Sequence, residues 1–211
     1  MILLSKSHKH KQMMRFTSIA LFCGSVLFAQ APIVRTGNTE VGGFVGASYG
    51  IDQFRFMGGG NVSYALTRMV MPYAEFSYFP GIGRNDTVQI PGGGVARFPY
   101  SIPMADLHGG VHLRVPLKES KIVPYAVLGA GMLRSFSRTE TAEIPLPGGG
   151  KIVIPVPVPA RTDAAFNFGG GLRFYVNERY GFRAEAKAYR PTGAFTDVFG
   201  KVEFGFFYQI R

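Results

Sequence analysis

Lys201-Val202-Glu203-Phe204-Gly205-Phe206-Phe207-Tyr208-Gln209-Ile210-Arg211 alternates almost residue by residue. Val202, Phe204, Phe206, Tyr208 and Ile210 fall on one parity, and Lys201, Glu203, Gly205, Phe207, Gln209 and Arg211 on the other. Successive side chains of a β-strand point to opposite faces, so this stretch predicts a strand with one apolar and one largely polar face. Phe207 is the exception. The preceding stretch behaves alike, with Phe182, Ala184, Ala186 and Ala188 opposing Arg183, Glu185, Lys187 and Tyr189.

Working outward from this end, the same period recurs in eight segments, roughly 39–49, 54–65, 70–79, 102–115, 122–135, 164–176, 180–190 and 198–211. The links after the second, fourth and sixth are short: Leu66–Met69, Pro116–Lys121 and Asn177–Arg179. Those after the third and fifth are long, and those after the first and seventh are short to medium. Long links therefore fall on one end only of an up-and-down meander. Short turns alternating with longer loops is the layout of an outer-membrane barrel. An even strand count places both termini at the short-turn end.

The two long links share a pattern. One reads Val88-Gln-Ile-Pro-Gly-Gly-Gly94, with Pro99 beyond it; the other reads Glu143-Ile-Pro-Leu-Pro-Gly-Gly-Gly150, then Lys151 to Pro159 with alternating prolines. Each is predicted to be a hairpin reaching past the barrel rim, its glycines supplying the turn. Two flexible loops of biased composition are the alternative.

Composition agrees with many strands and tight turns. The 211 residues hold 28 glycines and 29 Phe and Tyr, with only 17% charged. The length suits one domain. Formal net charge is +10, but Lys6, Lys9, Lys11 and Arg15 lie in the first fifteen residues; the rest has 19 basic against 13 acidic residues. These are scattered, which argues against nucleic acid as a partner.

The N-terminus reads as a secretory signal, residues 1–31. A basic segment precedes apolar Phe16–Phe28, and Ala29-Gln30-Ala31 offers cleavage after 29 or 31. Pro32 hinders cutting directly before it. An uncleaved anchor is the alternative, although an apolar stretch of 13 residues is short for a spanning helix. Cys23, the one cysteine, follows the large Phe22, which argues against lipidation. The mature part, 32–211, then holds no cysteine and no disulfide. It also holds no run of 18 apolar residues, so no transmembrane helix is expected.

Alternation alone does not say which face points inward. A soluble barrel turns its apolar face in; a membrane barrel turns it out. Three features favour the membrane. Aromatic residues sit near segment ends, with Tyr64, Tyr125, Tyr180 and Tyr208 at the short-turn end and Tyr49, Phe56, Tyr78 and Phe166 at the long-loop end. Paired aromatic girdles mark membrane interfaces. The polar parity collects charges of both signs: Glu75, Asp106, His108, His112, Arg114, Arg173, Arg183, Glu185, Lys187, Lys201 and Glu203. Inside a narrow barrel these are expected to pair. Glycine runs (58–60, 109–110, 169–171) leave room for large inward side chains.

On this pattern the mature part resembles the OmpA-type family of small outer-membrane β-barrels over nearly its whole length. The resemblance implies an all-β, eight-stranded antiparallel up-and-down transmembrane barrel. Partners would be outer-membrane lipid, lipopolysaccharide and the barrel-assembly machinery. Family barrels commonly end in an aromatic residue; here the end reads Tyr208-Gln209-Ile210-Arg211.

No catalytic, cofactor or metal site is expected. Eight strands enclose a lumen about filled by side chains. Lipid-modifying enzymes exist on this scaffold and need a Ser–His or similar pair at the rim. His108 and His112, with Asp106 on their face, are the only candidates after the signal, and no serine on their segment adjoins them. Residues four apart on a strand lie about 13 Å apart, too far to share one metal ion. Asp106 and His108 would need ligands from neighbouring strands. The glycine runs lack a nucleotide-loop context, and the acceptor pattern Asn85-Asp86-Thr87 has no weight in a bacterial setting. Arg84, Arg97, Arg138, Lys151 and Arg161 face nearby Asp86, Glu140, Glu143 and Asp163, as in a solvated loop surface. The expected role is non-enzymatic, structural or surface-interacting, in a monomer with at most slight solute passage. A lipid hydrolase and a soluble periplasmic barrel with an apolar ligand are the alternatives.

Overall fold

The computed structural model describes residues 34–50, 55–81, 84–90, 94–118, 120–146, 149–193 and 198–210. The expected signal segment and Arg211 lie outside them. Twelve strands follow in chain order: β1 (Thr39–Tyr49), β2 (Arg55–Tyr64), β3 (Val70–Phe79), β4 (Arg84–Ile90), β5 (Gly94–Tyr100), β6 (Met104–Arg114), β7 (Ile122–Ser135), β8 (Arg138–Pro145), β9 (Lys151–Val158), β10 (Arg161–Tyr175), β11 (Tyr180–Pro191) and β12 (Phe199–Ile210).

Eight of them close into a barrel in the order β1-β12-β11-β10-β7-β6-β3-β2, every pair antiparallel. The first and last strands seal it, from Thr39 opposite Ile210 to Tyr49 opposite Gly200. Closure removes the free edges that an open sheet would expose. The eight strands are the eight alternating segments.

The short turns are tied by their own side chains. Thr67 Oγ1 accepts from the Met69 and Val70 amides at 3.1 and 2.8 Å. Asn177 Oδ1 does the same for Arg179 and Tyr180, at 2.8 and 3.1 Å. Such side-chain acceptors replace a missing backbone partner and fix the turn.

Both long links form hairpins. The β4–β5 ladder runs from Arg84–Tyr100 to Ile90–Gly94, and β8–β9 from Arg138–Val158 to Pro145–Lys151. They join through a bridge at Arg97–Glu143 into one sheet, β4-β5-β8-β9. That joining has no local sequence signature. The second tip turns at Gly149, whose φ of +92° suits glycine, with the Leu146 amide donating to the Gly150 carbonyl at 2.7 Å.

The barrel wall is inverted relative to a soluble protein. On β12 every second residue is buried, and these are Phe199, Lys201, Glu203, Gly205, Phe207 and Gln209. Val202, Phe204, Phe206, Tyr208 and Ile210 face out and are exposed. Along all eight strands the outward positions carry charge only at Arg134 and Arg190, both toward the loop end.

Candidate functional site

The interior is the one place where charged chemistry concentrates among the described residues. All eleven residues of the expected polar face are buried there: Glu75, Asp106, His108, His112, Arg114, Arg173, Arg183, Glu185, Lys187, Lys201 and Glu203. Glu40 and Arg55 join them. Both share the inward parity of their strands, where the sequence signal is weak because β1 and β2 are otherwise glycine-rich and carry few charges. Counting these, five carboxylates face six Lys and Arg side chains, a near balance that low-dielectric burial requires.

The network has three tiers. At the turn end, Arg173 pairs with Glu40, and Tyr175 OH donates to Glu40 Oε1 at 3.0 Å. Arg173 Nη2 also donates to His112 Nδ1 at 2.8 Å. A guanidinium has donors only, so the His112 proton sits on Nε2, 3.6 Å from Glu185 Oε2. The His112 ring stacks on Tyr73, with centroids 4.2 Å apart.

In the middle tier Lys187 Nζ lies 2.6 Å from both Glu75 and Glu185 and 3.3 Å from Glu203. Arg183 adds contacts to Glu75 at 3.2 Å and Glu203 at 3.5 Å. The three carboxylates approach within 4.8 Å, a spacing that also suits a cation. Lys187 already stands among them, so the protein supplies the cation itself. At the loop end Lys201 Nζ meets Asp106 and Ser77 Oγ, each at 2.8 Å, and Asp106 meets His108 Nδ1 at 2.8 Å.

Apolar clusters flank this core toward both ends. Val34, Val123, Tyr175 and Phe207 fill the turn end. Phe44, Met57, Phe79 and Met104 form one cluster at the loop end, and Leu133, Ala165, Tyr189 and Phe199 another. Phe207, which breaks the alternation of the last strand, belongs to the turn-end cluster, its ring 5.2 Å from Tyr175. Large inward rings fit because glycine stands beside them. A Cβ at Gly171 would come within 2.6 Å of Tyr125 Oη, and one at Gly59 within 2.6 Å of the Phe44 ring.

Tyr49, Tyr64, Tyr78, Tyr180 and Tyr208 all point outward and are exposed. Tyr125 requires a correction: it is 4% exposed, faces the lumen and donates to Glu185 Oε2 at 2.5 Å. Its strand explains the misreading. On β7, Val123, Tyr125 and Val127 face in while Pro124, Ala126 and Leu128 face out. Both parities are apolar, so alternation carries no sign there.

His108 and His112 have no exposed side-chain surface. They sit inside the wall rather than at the rim where a lipid substrate would lie. Of the basic loop residues, Arg138 pairs with Glu140 at 3.1 Å and Lys151 with Glu143 at 2.6 Å. The side chains of Arg84 and Arg97 lie outside what the structure describes.

No protein-family model and no curated protein matches the chain. Solved structures do. The crystal structure of the attachment invasion locus protein of Yersinia pestis superposes with a TM-score of 0.50 at 14% identity, covering 83% of this chain and 99% of that one. Neisserial surface protein A gives 0.50 at 11% identity, over 82% and 96%. At such identities the likeness is one of fold: this chain is a closed, eight-stranded antiparallel barrel of the kind seen in outer-membrane proteins.

Proposed function

We propose that this chain is a non-enzymatic barrel of the outer membrane, OmpA-type in kind, with a structural or surface-interaction role. One observation carries the reading: the wall is uncharged and apolar outside except at its loop end, while thirteen charged or histidine side chains are buried inside. Water on the outside would leave that band exposed, whereas lipid satisfies it. The β4-β5-β8-β9 sheet then stands beyond the outer rim as the surface available to partners. Residues 1–31 would direct export. Lipid, lipopolysaccharide and the assembly machinery are the partners this reading implies, and a monomer suits a barrel without free edges.

The alternatives find less support. An apolar ligand has no place in a lumen filled by ion pairs. Hydrolysis needs a substrate route to His108 or His112, whose side chains are fully buried among ion pairs and flanked by apolar clusters. The same packing favours slight solute passage over an open channel.

Fractionation without detergent tests the reading. Recovery in the outer-membrane fraction, with heat-modifiable migration and protease cleavage within residues 138–158 on intact cells, is expected. Recovery as a soluble periplasmic protein would overturn it. Replacing both histidines should leave lipid A unchanged; an altered lipid profile would revive the hydrolase.

A further inference from the structure

We propose that the outer wall carries a seat for one anionic, phosphate-bearing lipid, formed by a groove between Tyr49 and Phe168 with Arg190 above it. The inference rests on the membrane reading and adds a position and a chemistry to it.

A depression of about 520 Å³ lies on the outward side of β10, β11, β12 and β1, and its lining is almost wholly apolar. The register explains its shape. Phe168 stands opposite Ala188, Ala188 opposite Gly200, and Gly200 opposite Tyr49. One rung across four strands therefore reads large, small, small, large. Phe168 and Tyr49 are 58% and 73% exposed, so both project outward as walls. They are three strand spacings apart, about 14 Å. The next outward residue down β11 is Ala186, which extends the floor.

The floor is not imposed by the packing of the barrel. At Gly169, on the inward side, a Cβ would collide with the backbone of Ala186 and Lys187. At Gly200 the nearest atom to an added Cβ is 3.9 Å away. A Cβ fits there without moving anything, so the packing of the wall does not itself require glycine at this position. What the glycine preserves is empty space on the lipid side.

Acyl chains alone would fill such a groove without discrimination. Arg190 adds the discrimination. It is the next outward residue above Ala188 on β11, about 7 Å along the strand. It is exposed, it has no ion-pair partner among the described residues, and it lies toward the loop end, where headgroups begin. A guanidinium forks onto phosphate oxygens in a bidentate pair. Chain in the groove and phosphate on Arg190 is the one occupant that uses both features.

The chain has no tryptophan, so one introduced residue reports cleanly. Phe168→Trp places the reporter in the groove wall. Phe76→Trp on β3 places a control on the far side, where Phe76 is exposed and the outward residue above it is Tyr78. Each is refolded into phosphatidylcholine vesicles holding brominated phosphatidylglycerol or brominated phosphatidylcholine. The expected result is a roughly fivefold preference for the anionic lipid at Phe168→Trp, the scale of one basic side chain against an anionic lipid, and none at Phe76→Trp. Adding Arg190→Gln should abolish the preference, and adding Gly200→Leu should weaken quenching by both lipids. Equal preference at the two reporters, or a preference that survives Arg190→Gln, overturns the seat but leaves the membrane reading standing. Loss of quenching as protein density rises would assign the groove to a second copy and overturn it too. Absence of quenching by either lipid at both reporters would overturn both readings.

Discussion

The barrel and the sheet above it use the same antiparallel ladder, but their strands are held by different means. On β12 burial and exposure alternate without a break, so each strand serves two environments. On β9 no residue is fully buried, and Ile152, Val153 and Ile154 are exposed on both faces. The barrel has no free edge; the sheet has two, β4 and β9. Pro155 and Pro157 stand opposite Thr141 and Thr139 and share one parity with Pro159. A proline cannot donate to β8, so these positions turn their missing N–H toward the free edge. That edge is thereby poor in donors, a common defence against unwanted strand pairing. The lesson is a division of labour: stability resides in the ion-paired barrel, and the sheet is a tolerant platform.

The contrast can be broken most strongly at its centre. Lys187→Met would remove the one lysine that contacts all three of Glu75, Glu185 and Glu203, leaving their charge to Arg183 and Lys201. A loss of about 3–5 kcal/mol is expected in urea titrations of the refolded barrel. An unchanged midpoint would mean the tier contributes nothing. Next in size is Phe204→Arg, outward and near mid-strand, which should cost about 2–4 kcal/mol in a bilayer. The same change should be nearly silent if that face meets water, so it also checks the inversion. Replacing residues 139–157 by Asn-Gly should shift barrel stability by less than about 1 kcal/mol, since loop length enters only logarithmically. A barrel that no longer shows heat-modifiable migration after this excision would refute the division of labour. Smallest of all is Lys151→Ala. Its pair with Glu143 leaves both side chains at least half exposed, so a change within about 0.5 kcal/mol is expected in the same titration.

Much of this was legible from alternation. The eight barrel strands, the inward charges and the placement of long links at one end all follow from side-chain parity and link length, which are local properties. Parity is readable only where the two faces differ chemically. On β12 lysine and glutamate alternate with valine and phenylalanine, so the faces separate. On β7 they do not, so parity alone gives no inward sign for Tyr125.

Residue order is enough to say which side chains share a face. Which of them meet depends on closure of the barrel. Glu75 and Lys187 lie 112 positions apart, and only closure of the barrel brings them within 2.6 Å. The rung Phe168–Ala188–Gly200–Tyr49 and the bridge from β5 to β8 arise in the same way. The physical reason is that alternation is set by the backbone of one strand, whereas register is set by all the strands that must close at once.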